Sequence, residues 1–91
     1  TRAQMARLFA HALPRRELRA INKLDTLPDV AEDDASSYGE EIFLLYRAGV
    51  LGGSDSAGTF YPNTPITRAE AAAILIRMAL PEERLTLDLE D

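Results

Sequence analysis

The chain has 91 residues, is 46% hydrophobic and carries a formal net charge of −5. That length suits one small domain with a thin stability margin, and the acidic balance argues against nucleic acid, whose phosphates need a basic surface. Cysteine is absent, which excludes thiol catalysis and cysteine zinc sites, and no apolar run reaches the roughly 20 residues of a membrane helix. No signal peptide and no initiator Met open the sequence, so Thr1 is expected to be an internal boundary with any targeting segment lying outside it.

A first helix is predicted from about Arg2 to Leu13, because Met5, Leu8, Phe9 and Ala12 share one helical face. Pro14 stops it. Arg15 to Leu24 is expected to hold a short second segment, and Asp25 to Val30 reads as a loop around Pro28. A second helix is expected to start near Ser36 or Ser37, with Ser37 and Glu40 spaced as a capping box. Arg47 near its end suits the negative pole of the dipole, and Gly49 is a natural left-handed terminator. Gly52 to Thr59 is turn chemistry. Phe60 to Pro65 is extended, kept out of a central sheet by two prolines, with Phe60 or Tyr61 expected to anchor it. A third helix opens at Thr67, where Thr67 and Glu70 form a capping box and Ile66 a hydrophobic staple. Its run from Ala69 to Ile76 is apolar except for Glu70, which predicts a buried helix. Beyond Glu82, alternating Leu85, Leu87 and Leu89 read as a strand pattern without an obvious partner.

Thr1-Arg2-Ala3-Gln4 and Thr67-Arg68-Ala69-Glu70 are near-copies, 66 residues apart, and each opens an alanine-rich run that ends in Ala-Leu-Pro. A duplicated helix start implies a repeat architecture. Thr1 and Gln4 are expected to cap the first copy as Thr67 and Glu70 cap the second. Charge is segregated as well: residues 1–24 hold six Arg or Lys and one acid, whereas residues 25–45 hold seven acids and no base. Two readings stay open: two solvated faces, or a basic groove for an anionic ligand beside an acidic rim. Asp55 lacks the companions of a calcium loop. His11 is expected on the surface or at a rim. No nucleophile–base set can be assembled, so no catalysis, metal or cofactor is expected.

The motifs Leu27-Pro28-Asp29-Val30, Tyr38, Ile42 and Leu45, Ala48-Gly49-Val50-Leu51-Gly52-Gly53, Gly58-Thr59-Phe60-Tyr61-Pro62 and Ile66-Thr67-Arg68-Ala69-Glu70 occur in one order and spacing. Together they resemble one complete S-layer homology repeat. Leu27 stands where that family usually has Phe, Tyr38 where it has Trp, and Gln4 where it has Glu. The resemblance divides the chain into residues 1–24, the last helix of a preceding repeat with its connector; residues 25–81, a complete repeat; and residues 82–91, a tail. It implies an all-α fold of helix–loop–helix repeats with long Gly- and Pro-containing loops, in which the Thr-Arg-Ala-Glu helices form a central bundle, usually from a set of three repeats.

The function so implied is non-covalent anchoring of a secreted bacterial protein at the cell surface, through secondary cell-wall polysaccharide that often carries pyruvate ketals. The alternative is a structural or protein–protein module of the same fold without glycan binding. A ketal carboxylate suits Arg68 at a helix start, and Arg2 at the preceding groove. Tyr38 or Tyr61 can stack on a sugar, Gly52 and Gly53 permit close backbone approach, and Asp29 completes the candidate set. An incomplete bundle also predicts self-association.

Overall fold

A computed structural model of the chain describes residues 1–52 and 58–86. Among these the regular elements are all helical: α1 (Arg2–Ala10), α2 (Gly39–Arg47) and α3 (Arg68–Ala79), with single 3₁₀ turns at Arg15–Glu17, Ala35–Ser37 and Pro81–Glu83. Gly53, Asp55, Leu87 and Leu89 lie outside the described residues.

Both copies of the duplicated motif cap their helices. Gln4 N–H donates to Thr1 Oγ1 and Glu70 N–H to Thr67 Oγ1; in return the Thr1 ammonium donates to Gln4 Oε1 and the Thr67 N–H to Glu70 Oε1. The second helix starts differently from the Ser37 expectation. Asp34 caps the 3₁₀ turn, Tyr38 sits in the left-handed region, and α2 begins at Gly39. Backbone passes so close to Gly39 that a Cβ there would collide with the Ala31 carbonyl oxygen, so only glycine fits at this first position of α2. Gly49 ends α2 with φ +81°, a conformation cheap only for glycine.

The core gathers around α2. Ile42, Phe43, Leu45, Tyr46, Val50 and Phe60 are essentially inaccessible, and α1 contributes Ala3, Met5, Ala6 and Ala10. Of the two candidate loop anchors, Phe60 is the buried one and Tyr61 is exposed; the Phe60 ring meets Tyr46 edge-on at 5.9 Å, and Tyr46 Oη–H donates to Gly58 O.

Long-range polar ties hold the irregular segments. Arg47 donates to Leu24 O and grips Glu32 with two hydrogen bonds. Between Arg15 and Leu24 only the first turn is helical; the remainder is held because Ile21 and Asn22 N–H donate to Arg47 O and buried Asn22 Nδ2 donates to Tyr46 O and Leu85 O. Leu85 N–H in turn donates to Gly49 O, so the start of the tail has a partner.

α3 departs most from expectation. It buries only Ile74 and Met78, while Leu75, Ile76 and Leu80 are 52%, 51% and 44% exposed. Its apolar composition exceeds what the rest of this chain covers.

Candidate functional site

Of the seven residues singled out by sequence, Gly53 lies outside the described residues and the other six fall into separate places. Arg2 and Asp29 meet at the Phe60 loop. Arg2 is 5% exposed; its Nε donates to Phe60 O at 2.7 Å, its guanidinium lies 4.9 Å over the Phe60 ring, and it pairs with Glu70. Asp29 accepts from the backbone N–H groups of Phe60 (3.0 Å) and Tyr61 (2.7 Å). Both residues shape the loop that presents Tyr61, which is half exposed at φ +58°. Gly52 is half-buried. Arg68 is exposed, with no ion-pair or hydrogen-bond partner for its side chain among the described residues.

Tyr38 lies elsewhere, in a groove between α1 and the segment leading into α2. Arg7, His11, Glu32, Asp33, Ala35, Glu40 and Glu41 line it with Tyr38, enclosing about 950 Å³. A contiguous hollow of about 640 Å³ adds Gln4, Leu8 and Ala12 and shares Arg7, His11 and Tyr38. The Arg7 guanidinium sits 5.2 Å over the Tyr38 ring. That cation–π contact fixes the side chain while leaving its outer edge exposed and without a salt bridge among the described residues. His11 Nε2 stands 3.6 Å from Glu41.

The groove therefore has two walls of unlike charge. α1 supplies Arg7 and His11, and the facing segment supplies four carboxylates. This is where the basic first quarter of the sequence meets the acidic stretch that follows it. Of the carboxylates, Glu32 is held by Arg47, whose hydrogen bonds keep its pKa below the ordinary value and raise that of Arg47. Sequence reasoning missed Arg7 as a site residue. Its place on the α1 face opposite Met5 could have suggested exposure, but not its contact with Tyr38 across 31 positions.

Tyr38 and Tyr61 are the non-glycine residues at positive φ among those described. Left-handed backbone costs a non-glycine residue roughly 1–2 kcal/mol, and such strain concentrates at functional sites. Among the described residues no group of three or more His, Cys, Asp or Glu could hold a metal ion, and no helix is long and apolar enough to cross a membrane.

Helices opened by a duplicated capping box, irregular loops pinned by long-range polar ties and an open mixed-charge groove define a small all-α module. Residues 26–72 match the family model of the S-layer homology domain, over half the chain, and the chain belongs to that family. Its modules generally serve as cell-wall anchors of surface-associated proteins and bind rather than catalyse. No curated protein and no solved structure matches the chain.

Proposed function

We propose that this chain anchors a secreted bacterial protein to the cell wall by holding a secondary wall polysaccharide, without a covalent bond, in the groove between α1 and the 32–41 segment. The observation that carries the reading is the Arg7–Tyr38 pair: an exposed guanidinium over an aromatic ring, with no salt bridge to it among the described residues, in a groove of about 950 Å³. Sugar-sized ligands fit such a volume. An acidic substituent such as a pyruvate ketal would take its place on the α1 wall, against Arg7 and His11, where a guanidinium can offer two parallel hydrogen bonds. Glu40, Glu41 and Asp33 on the other wall accept from sugar hydroxyl or amide hydrogens. Tyr61, held out by Asp29, offers a second aromatic face to a long polymer.

The test is titration of the chain with purified wall polysaccharide. Arg7→Ala should weaken binding about tenfold or more, the loss expected for one charge-assisted contact, with the melting temperature nearly unchanged. Undiminished affinity of Arg7→Ala would remove the groove from the account. No affinity for any wall polymer by the unaltered chain would favour the alternative, a structural or protein–protein module.

A further inference from the structure

The charges of the groove do not balance, and the imbalance constrains the ligand. Its α1 wall carries one permanent cation, Arg7, with His11 beside it; the facing wall carries Glu32, Asp33, Glu40 and Glu41. Glu32 is held by two hydrogen bonds from Arg47, and Glu41 faces His11 at 3.6 Å. Asp33 and Glu40 are exposed, with neither a hydrogen bond nor an ion pair to their carboxylates among the described residues. A hollow of this size is roughly 10 Å across, close to the Debye length of about 8 Å at physiological salt, so both walls act on one ligand. A ligand bearing acid groups alone gains Arg7 but meets uncompensated carboxylates opposite. Hydroxyl or amide donors satisfy those oxygens and leave their charge unbalanced. The whole chain, at −5, also repels a pure polyanion as it approaches.

Taking the groove as the glycan site, on which this rests, we propose that it selects a zwitterionic sugar, one that carries a free ammonium together with its acid group. The acid lies on the α1 wall against Arg7. The ammonium lies on the facing wall against Asp33 and Glu40, where three N–H donors meet side chains that only accept. Glu41, already facing His11, is the lesser partner. N-acetylation of the sugar nitrogen removes its charge and two of its three donors. Arg7 therefore discriminates against sugars without an acid, and the carboxylate pair against sugars whose nitrogen is acetylated. The ammonium belongs to an unacetylated amino sugar or to an aminoacyl ester on the sugar; both present the same chemistry.

The test is an NMR titration of the chain with three monosaccharides of different charge. Muramic acid has a carboxylate and a free amine, N-acetylmuramic acid the carboxylate alone, and glucosamine the amine alone. Muramic acid should bind about fivefold tighter or more than either of the others, the discrimination expected of one ion pair at an exposed site. Asp33→Asn combined with Glu40→Gln should erase its advantage over N-acetylmuramic acid, and Arg7→Ala its advantage over glucosamine. Equal affinities of the unaltered chain for muramic and N-acetylmuramic acid would overturn the proposal, as would an advantage that survives the double substitution. If that same chain still binds wall polysaccharide through Arg7, the anchoring reading stands without it; if it binds none, both fall. Acetylating the amines of the purified polysaccharide should weaken binding, and unchanged affinity would again overturn the proposal. Mild alkali, which removes aminoacyl esters and leaves amino sugars, separates the two sources of the ammonium.

Discussion

Removing the Arg2 side chain would leave the Phe60 carbonyl, the Phe60 ring and the Glu70 carboxylate without their shared partner. A buried charge-assisted network of this kind loses about 2–3 kcal/mol on truncation. Arg68→Ala, at the equivalent but exposed position, should change the stability of the single chain by less than about 0.5 kcal/mol. Urea unfolding of both variants measures the contrast, and equal losses would show that burial does not set the difference. Glu32 supplies a prediction in pH. Its folded pKa lies below its ordinary value because Arg47 hydrogen-bonds the charged form. The stabilisation is therefore present above the unfolded pKa and disappears as pH falls through the folded value. Glu32→Gln should flatten the acid limb of the stability profile below about pH 5, while costing less than about 1 kcal/mol at neutrality because the pair is part-exposed. An acid limb unchanged by the substitution would assign it to other carboxylates.

At the scale of elements, the helix starts are fixed locally and respond locally. Thr67→Ala removes a cap seen in the hydrogen-bond geometry and should cost about 1 kcal/mol. Gly39→Ala should cost more, on the order of 2 kcal/mol or above, because the added methyl meets the Ala31 carbonyl and the backbone must shift. Thermal unfolding orders the two, and a harmless Gly39→Ala would refute the close approach. The capping boxes at Thr1 and Thr67, the Gly49 terminator and an aromatic anchor at Phe60 or Tyr61 were legible in the sequence because each depends on neighbours a few positions away or on one large side chain. The start of α2 was not, since it depends on backbone at Ala31 passing under Gly39. Nor were the ties from Asn22 and Arg47, which join segments more than twenty residues apart in the case of Asn22–Tyr46 and Arg47–Leu24. The apolar run of α3 suggested burial on every side; composition records how much surface a helix wants covered, not how much its own chain can cover. Arg2 and Arg68 were indistinguishable for the same reason: four shared residues specify the cap, and only tertiary neighbours specify the guanidinium's partner.

For the whole molecule, an exposed strip of Leu75, Ile76 and Leu80 on a 91-residue domain is an adhesive surface until another element covers it. Sedimentation of the chain should show weak self-association that rises with concentration and is abolished by Ile76→Glu; a strict monomer at high concentration would contradict this. The groove lies on the other member of the duplication, between α1 and the acidic segment, and shares no lining residue with this strip. Arg7→Ala addresses the groove and Ile76→Glu the strip. The anchoring account itself is tested most directly by co-sedimenting the chain with purified bacterial cell walls before and after chemical release of their secondary polysaccharide. It predicts that the chain pellets with intact walls and stays in solution with stripped ones, and that Arg7→Ala pellets markedly less with intact walls. Equal pelleting with intact and stripped walls would contradict it.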